Sequence, residues 1–406
     1  MRVLVVWGCS EPKSLLRKTI LDYIYSFQRY DTNNRYYYLN VPFYSSAWDY
    51  SWIEEGMFDV VLFTCTFLGV RWNKDYWRGM WDLCERVFAP LSCRKVILPQ
   101  DDYDNTGKLW DFIERVRVNE VYSVIPSQDY CIVYPQEKIG GSVVKGVLTG
   151  YVEESYLGRT FPAKTIDVMY RANKLPYKYG KLGQQKTEII DYFVPKLNDF
   201  SIDICNTVGG RNVYTGDEWL NHLAMARCTL GTPSGSSIMD VDGDVGRKYS
   251  NYLRNHPNAT YDEAKGACFP DLMENLHGTI SPRHFEAAIT HTCQILIESD
   301  YAGILKADRH YIPINEDYGN IDEVIEKIRD DTYCKEIAQN CYRDIVESGN
   351  YSFRTLVSAV MGESNKKYSF EKNDYRIQAK CDSHNSKTEV YNALIQVYHK
   401  FRSALA

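Results

Sequence analysis

The chain has 406 residues, of which 44% are hydrophobic and 25% charged, values typical of a globular protein with two or three domains. The formal net charge of -6 argues against nucleic-acid binding through overall positive charge. The twelve cysteines have irregular spacings and no C-x-x-C pair, which favours reduced thiols in a cytoplasmic protein. No signal peptide is recognisable, and the most apolar stretch, FDVVLFTCTFLGV, is too short to span a bilayer.

Strands and helices alternate through the first part of the chain. Buried strands are predicted at RVLVVW, DVVLFTCTFL and RKVILPQ, and shorter strands at EVYSVI and CIVYP. Apolar residues recur at helical spacing from Leu16 to Phe27 and from Leu109 to Val116, which predicts a helix in each place. This alternation favours a parallel sheet covered by helices, and we assign it residues 1–150.

The pattern breaks between Gly140 and Lys164, where glycine and polar residues dominate. It then begins again, with strands predicted at TIDVMYRA, FSIDIC, RCTLGT and CQILI and helices between them. We therefore predict a second domain over residues 165–365, with the boundary in the interval from Gly140 to Lys164. Residues 366–406 are predicted to form a helical tail, with an amphipathic helix from about Thr388.

The predicted fold class is α/β, with two facing, doubly wound, Rossmann-like parallel-sheet domains. In such sheets ligands bind beyond the carboxyl ends of the strands, and the cleft between facing domains is the expected active site. The chain lacks G-x-G-x-x-G after its first strand, and it lacks G-x-x-x-x-G-K-[ST] and G-x-S-x-G. These absences argue against NAD-dependent, P-loop and α/β-hydrolase chemistry.

Three alternating aspartates, Asp240, Asp242 and Asp244, lie in the segment MDVDGDVG. A D-x-D pattern can hold a divalent metal against a nucleotide diphosphate, but aspartates in a glycine-rich loop also serve as turn and capping residues. A calcium loop is excluded, because Val245 and Asn251 stand where it needs glycine and glutamate. We expect no metal at this loop.

Four stretches of the second half together resemble one family. They are DVMYRANKLPYKYGKLGQQK, TLGTPSGSSIMDVDGD, ISPRHFEAAITHTCQIL and YAGILKADRHYIPINEDYGNIDEVIEKI. From about Thr165 to Arg329 they resemble the donor-binding domain of group 1 glycosyltransferases with the GT-B fold, in particular a bacterial subgroup associated with surface polysaccharides. The first domain is similar only in its alternation of strands and helices.

The resemblance implies a cytoplasmic enzyme that moves a sugar from a nucleotide-sugar donor to a glycan or lipid-linked acceptor, with peripheral contact at the inner membrane face. It implies neither a cofactor nor nucleic acid as a partner. It also implies that the tail helix packs back on the first domain. There the apolar positions Val390, Leu394, Val397 and Phe401 need a partner surface.

The resemblance implies that Glu286 hydrogen-bonds the ribose of the donor. Ser281 is a natural N-cap and Pro282 suits the first helical turn, so the free N–H groups at this helix end attract phosphate. A carboxylate one turn into the helix is placed to accept hydrogen bonds from the ribose hydroxyls. For the diphosphate, the resemblance implies Arg171 together with either Lys181 or Lys186, and Arg283 at the helix mouth is a further candidate.

The chain departs from the family pattern at two positions. Gly278 stands where the E-x7-E motif has its first glutamate, which usually helps to hold the donor sugar. His291 stands at the glycine turn that follows the helix. Histidine adopts a left-handed conformation more readily than most residues, so we predict that the turn survives.

The stereochemistry of transfer stays open. All eight histidines lie at His222 or beyond, so an inverting enzyme would need a carboxylate of the first domain as its base, and Asp101 and Asp102 are the candidates. A retaining enzyme needs no such base. Two other functions also stay open. One is a GT-B-fold nucleotide-sugar epimerase. The other is a non-catalytic nucleotide-sugar-binding or assembly protein, which is consistent with Gly278 in place of the glutamate of the motif.

Overall fold

A computed structural model describes residues 1–16, 18–206, 214, 217–362 and 367–405. Within these residues the strands form two parallel sheets, of six and five strands, flanked by helices. The predicted α/β class with two parallel-sheet domains is therefore confirmed. No helix in the described part of the chain is both long enough and apolar enough to cross a bilayer.

The chain divides into two compact units. Unit 1 contains Met1–Ser123, Tyr130–Val147 and the described residues from Val357 onward, and unit 2 contains Val124–Asp129 and Leu148–Leu356. The change of unit at Val147 falls inside the interval from Gly140 to Lys164. Unlike the predicted domains, each unit is assembled from separate segments of chain.

The sheet of unit 1 has the order β2-β1-β3-β4-β5-β6, with all neighbours parallel. Its strands are β1 Arg2–Trp7, β2 Arg35–Asn40, β3 Val60–Thr64, β4 Arg94–Leu98, β5 Glu120–Ser123 and β6 Val143–Gly146. The runs in β1 and β3 are apolar because the described side chains of both strands are almost wholly buried. The prediction of a strand at CIVYP is wrong, since Tyr130–Val133 is helical, and β2 and β6 were not predicted.

The helices of unit 1 in the segments Met1–Ser123 and Tyr130–Val147 are α1 Lys18–Tyr30, α2 Cys65–Leu68, α3 Lys74–Leu83, α4 Thr106–Val116, α5 Tyr130–Val133 and α6 Gln136–Ile139. In α4 the apolar face from Leu109 to Val116 is buried, as its spacing predicts.

The sheet of unit 2 has the order β11-β10-β9-β7-β8 and is also parallel. Its strands are β7 Ile166–Ala172, β8 Ile202–Asn206, β9 Ala226–Gly231, β10 Cys293–Ile297 and β11 Tyr311–Ile314. The four predicted strands of this half are present, and β11 is an additional one. The strand order of this sheet places the carboxyl ends of β7, β9 and β10 side by side.

The helices of unit 2 are α7 Gly180–Phe193, α8 Asp217–Ala224, α9 Asp244–Asn255, α10 Tyr261–Cys268, α11 Pro282–Ile289, α12 Ile321–Arg329 and α13 Asp331–Cys341. The helix α14 Phe353–Met361 begins in unit 2 and ends in unit 1. The apolar core on one side of the sheet joins residues of β7, β9, β10 and β11 to α7, α12 and α13. A second cluster packs Phe285, Ala288 and Ile289 of α11 against Leu296 and the loops that follow β10. This packing fixes the orientation of α11.

The tail helix differs from its prediction in both length and orientation. It is α15, Lys372–Leu405, so it begins well before Thr388, and it belongs to unit 1, where it packs on β2. The predicted apolar stripe is not its buried face, because Val390, Leu394, Val397 and Phe401 are 51–67% exposed. The buried positions are mainly polar: Asp374, Ile377, Cys381, His384, Thr388 and Asn392.

Polar residues of α15 pair with the backbone of β2, which is an edge strand. Asn385 accepts from the Asn40 N–H at 2.9 Å and donates to the Tyr38 carbonyl at 2.8 Å, and His384 Nε2 lies 2.7 Å from the Asn40 carbonyl oxygen. A buried edge strand needs partners for its free N–H and C=O groups. The hydrogen-bonding side chains, rather than the apolar ones, therefore determine which face of α15 is buried.

Candidate functional site

A pocket of about 160 Å³ opens in unit 2 where β7, β9 and β10 end. Its wall contains Arg171 and Asn173 at the end of β7, Thr232 and Ser234 after β9, and the amino-terminal residues of α11. Ligands bind at this edge of an open parallel sheet because the loops there carry side chains that the sheet holds in place. The pocket is thus the candidate donor site within unit 2.

The amino terminus of α11 forms one side of the pocket. The Ser281 hydroxyl accepts a hydrogen bond from the Arg283 N–H at 3.3 Å, and Pro282 occupies the first helical turn. Both Ser281 and Arg283 line the pocket. The first N–H groups of a helix and its dipole favour a negatively charged ligand, so this end is suited to phosphate.

Glu286 lies one turn into α11 and is joined to the pocket through a tryptophan. Its Oε2 accepts a hydrogen bond from Trp219 Nε1 at 2.7 Å, and the Trp219 ring lines the pocket. The Arg283 guanidinium lies 5.2 Å from the centre of the same ring. Trp219, which the sequence interpretation missed, therefore holds Glu286 and Arg283 in one cluster.

Arg171 sits at the carboxyl end of β7 and is held by an ion pair. Its Nη2 lies 2.5 Å and 2.6 Å from the two oxygens of Asp203, whose Oδ2 is also 2.5 Å from His222 Nε2. Burial opposes the charge of Asp203, but Arg171 and His222 keep the pKa of this carboxyl below its usual value. Much of the charge of Arg171 is thus matched inside the protein, while its carbonyl oxygen accepts from Arg283.

The two candidate lysines lie in different places. Lys186, on α7, lines the pocket. Lys181 is near the start of the same helix, where its side chain is 62% exposed and pairs with Glu316 at 3.7 Å. Its backbone N–H donates to Glu274 at 2.7 Å. Of the two, the structure brings only Lys186 together with Arg171, Ser281 and Arg283.

Glu274 occupies the amino terminus of α7, where a phosphate could otherwise bind. Burial tends to raise its pKa, but hydrogen bonds from Lys265 and Ser237 and the Lys181 N–H lower it to about 2. Gly180 makes this approach possible, because its φ is +63° and a Cβ there would lie 2.1 Å from the Ser237 hydroxyl oxygen. The anion-attracting end of α7 is already neutralised, so the end of α11 is the better phosphate site.

His284 forms part of the pocket floor. It is 3% exposed, and its Nδ1 is 2.9 Å from Gln294 Oε1 of β10. Burial lowers the pKa of His284 to about 4, so the imidazole is neutral near pH 7. The floor of the pocket therefore adds no positive charge.

The two departures from the family pattern have clear structural settings. Gly278 packs against Pro233, and a Cβ at this position would lie 2.6 Å from the Pro233 Cβ, so a glutamate does not fit without movement of the backbone. His291 has φ of 50°, which confirms the predicted left-handed turn, and its ring stacks on Tyr342. The turn after α11 is kept, and the first glutamate of the motif has no counterpart at position 278.

The carboxylates proposed as a base in unit 1 differ in accessibility. Asp102 is fully buried, accepting from Ser123 Oγ at 2.5 Å and from Tyr134 OH at 2.6 Å, and burial raises its pKa. With no exposed surface it cannot reach an acceptor hydroxyl in this structure. Asp101 is only partly buried, has φ of 52°, and accepts from Tyr103 OH at 2.5 Å.

A buried arginine shapes the loop that carries both aspartates. Arg71 is 1% exposed and donates to the carbonyl oxygens of Leu68, Gln100, Asp101 and Asp104 at 2.7–3.1 Å. The cap residue of α4 is Asn105, whose side chain makes no capping bond.

The D-x-D loop is held by backbone hydrogen bonds. Asp240 is 3% exposed, and its oxygens accept from the N–H groups of Val245 and Gly246 at 3.2 Å and 3.0 Å. Asp242 and Asp244 are exposed, and Asp244 pairs with Arg247. Asp240 thus serves the turn into α9.

Solved structures with the same arrangement of strands and helices identify the fold. An α-glucosyltransferase solved with UDP and a 13-mer DNA containing a HMU base matches with a TM-score of 0.52, covering 89% of this chain and 98% of that chain at 9% identity. An α-glucosyltransferase solved with UDP-glucose and DNA containing an abasic site matches with a TM-score of 0.52, covering 89% and 98% at 8% identity. The chain has the GT-B fold.

A further GT-B match is HepE from Anabaena, solved with UDP-glucose, with a TM-score of 0.47, 89% and 99% coverage and 8% identity. No family model and no curated protein matches the sequence. At these identities the two α-glucosyltransferase matches establish the GT-B fold of this chain and nothing finer. The pocket of unit 2 lies where an open α/β sheet of this kind binds its ligands.

Proposed function

We propose that the chain is a glycosyltransferase that moves a sugar from a nucleoside diphosphate sugar to an acceptor hydroxyl. One observation carries this proposal: in unit 2, the amino terminus of α11 meets Lys186 and Arg283 in a pocket at the carboxyl ends of three parallel strands. Helix N–H groups and cations together suit the two phosphates that leave with the nucleotide. The bound UDP and UDP-glucose of the GT-B structures support a donor of this class.

Each residue of the site has a role in this proposal. Arg283 and Lys186 neutralise the diphosphate, and the Ser281 hydroxyl and helix N–H groups bind its oxygens. Arg171, held by Asp203, positions Arg283 through its carbonyl oxygen. Glu286, held by Trp219, accepts hydrogen bonds from the ribose hydroxyls.

For the acceptor we propose a glycan or a lipid-linked sugar, in cytoplasmic polysaccharide or glycoconjugate synthesis. The α-glucosyltransferases of the same fold were solved with DNA, which makes DNA the acceptor to test against this proposal. The net charge of -6 favours the glycan, because DNA binding relies on neutralising phosphates.

The test is a thermal-shift screen with UDP-, GDP-, CMP- and dTDP-sugars, followed by assay of donor hydrolysis without an acceptor. We expect one nucleotide class to raise the unfolding temperature selectively and its sugar to be released slowly. Binding without hydrolysis, and without transfer to glycan or DNA acceptors, would identify a non-catalytic binder. Conversion of the donor into its epimer would identify the epimerase alternative, and no shift with any nucleotide would refute the proposal.

We further predict that activity is independent of a divalent metal. The diphosphate is neutralised by side chains and a helix terminus, and Asp240 is engaged by backbone N–H groups. Excess chelator should leave most of the hydrolysis or transfer rate intact, and Asp242→Asn should leave it unchanged. Complete loss of the rate in chelator, with recovery in manganese or magnesium, would favour metal binding by the D-x-D loop.

A further inference from the structure

Three buried cysteines converge inside unit 2. Cys228 lies in β9, Cys293 in β10 and Cys334 in α13, and each is at most 1% exposed. Cys228 and Cys293 are register partners on neighbouring parallel strands, and Cys334 comes from a helix that packs on β10. The three sulfur atoms all lie within 4.8 Å of one another, and those of Cys228 and Cys334 are 3.7 Å apart. Three elements of the core thus bring their thiols to one point.

The spacing of these sulfur atoms fits three-coordinate binding of one metal ion. A metal–sulfur bond is about 2.3 Å long, so three sulfurs arranged in a plane around one ion lie about 4 Å apart. The separation of 3.7 Å and the upper limit of 4.8 Å lie on either side of this value. A disulfide needs sulfurs about 2.05 Å apart, and all three cysteines are free.

Two basic side chains act on this cluster of thiols. Arg227 precedes Cys228 in β9 and interacts electrostatically with Cys228 and Cys334, although a carboxylate 3.3 Å away matches part of its charge. Lys164 interacts electrostatically with Cys228 and Cys293, and its ammonium group donates to two carbonyl oxygens and a hydroxyl at 2.8–3.0 Å. Positive charge favours the thiolate over the thiol, and the thiolate is the form that binds metals.

The set of ligands indicates which kind of ion fits. Zinc in structural sites takes four ligands, and the cluster that the described residues form contains neither an imidazole nor a carboxylate as a fourth. The burial of all three cysteines also leaves no open side for water. Soft thiolate ligands select copper(I), which three sulfurs satisfy without a further ligand.

We propose that Cys228, Cys293 and Cys334 bind one copper(I) ion, which joins β9, β10 and α13. On binding, three thiol protons leave to solvent and three copper–sulfur bonds form, with no change of oxidation state. The bound cluster carries two net negative charges, which Lys164 and Arg227 offset in part. None of the three cysteines lines the pocket of unit 2, so the ion stabilises the core beneath the sheet and takes no part in sugar transfer.

The first experiment uses the full chain, reduced and kept free of oxygen. Copper(I) is added with bicinchoninate as a competing chelator, and native mass spectrometry counts the bound ions. We expect one ion to bind before any other, and X-ray absorption to show three sulfurs at about 2.3 Å from it. No bound ion, or an ion held by two sulfurs or by nitrogen and oxygen, would overturn the proposal.

The second experiment compares two cysteines of the same helix. In Cys334→Ala we expect the affinity for copper(I) to fall more than about a hundredfold, the upper end of the losses seen when a residue that only supports a metal ligand is removed. Cys293→Ala should behave in the same way and replaces it if Cys334→Ala does not fold. Cys341→Ala is the control, because Cys341 is equally buried on α13 but lies outside the cluster. Wild-type affinity in both cluster variants would place the ion elsewhere.

Thermal unfolding gives a readout that needs no enzymatic activity. An ion that binds the folded state raises the unfolding temperature, so one equivalent of copper(I) should stabilise the wild type and Cys341→Ala but not Cys334→Ala. No rise in the wild type would contradict a site in the folded core. The proposal does not depend on the proposed function: a copper-dependent rise without binding of any nucleotide would leave the metal site standing and refute the donor site.

Discussion

Replacing Glu286 by alanine is expected to weaken nucleotide binding by about ten- to a hundredfold. A hydrogen bond between a charged group and a ribose hydroxyl contributes about 1.5–3 kcal/mol, and about 1.4 kcal/mol corresponds to a factor of ten in affinity. The substitution also frees Trp219 Nε1, which donates to Glu286, so the Trp219 ring loses the contact that orients it in the pocket wall. Both consequences reduce the affinity for a nucleoside diphosphate.

Calorimetric titration of the nucleotide into each variant measures this effect. Glu286→Gln should fall between the wild type and alanine, because it keeps one acceptor oxygen and loses the charge. Glu336→Ala, an exposed glutamate of α13, is the matched control and should bind like the wild type. Thermal unfolding should change little in all three, because Glu286 is only partly buried and none of these changes removes an apolar core contact. Wild-type affinity in Glu286→Ala would mean that the donor does not contact this helix.

Replacing Asp374 by alanine is expected to destabilise unit 1 by about 3–5 kcal/mol, the range for breaking a buried ion pair from one side. Asp374 is fully buried at the start of α15 and accepts from Arg2 Nε at 2.9 Å, Tyr37 OH at 2.6 Å and the Glu371 N–H at 2.6 Å. Alanine leaves these donors unsatisfied at the contact between α15 and the sheet. Asp382→Ala, on an exposed turn of the same helix, should change stability by less than about 0.5 kcal/mol.

The effect of Asp374 depends on pH in a definite direction. Burial acts to raise its pKa, but the hydrogen bonds from Tyr37, the Glu371 N–H and Arg2 lower the pKa to about 2. A carboxyl with a lowered pKa stabilises the folded state fully above its unfolded pKa of about 4, and this contribution is lost as the pH falls toward 2. The difference between the wild type and Asp374→Ala should therefore shrink below pH 4.

Tryptophan fluorescence during urea unfolding is a suitable measurement, because seven of the eight tryptophans precede Ser123 and so report on unit 1. If the difference in stability between the wild type and Asp374→Ala is the same at pH 6 and at pH 2.5, the charge of Asp374 does not stabilise the folded state. Equal stability of wild type and variant at pH 6 would show that α15 does not depend on this residue.

The class of fold could be predicted from the sequence, because strands buried in parallel sheets are continuous apolar runs, as at VVLF in β3 and QILI in β10. Strands that are rich in polar or aromatic residues, such as RYYYLN in β2, or short, such as YIPI in β11, could not be predicted in this way. The orientation of α15 was wrong for a related reason. Hydrophobic periodicity predicts a buried apolar face, whereas this helix is fixed by hydrogen bonds to an edge strand.

The candidate donor site was predictable in part because α11 carries local signals. Ser281 followed by Pro282 marks the helix start in the sequence itself, and the apolar spacing fixes where Glu286 points. The choice between Lys181 and Lys186 was not predictable, because it depends on Glu274, which occupies the start of α7 from 93 residues away. The pairs of Asp129 with His277 and of Asp203 with Arg171 are likewise long-range contacts without a local sequence signal.

The docking of α15 on β2 has a consequence for the order of folding during synthesis. Unit 2 ends at Leu356, so all of its residues leave the ribosome before α15 does. Until the residues from Asp374 to Asn392 emerge, the edge of the first sheet exposes the backbone groups of Tyr38 and Asn40 without their partners. An unpaired edge strand can add to strands of other chains. In this interval the nascent chain is most exposed to aggregation and most in need of a chaperone.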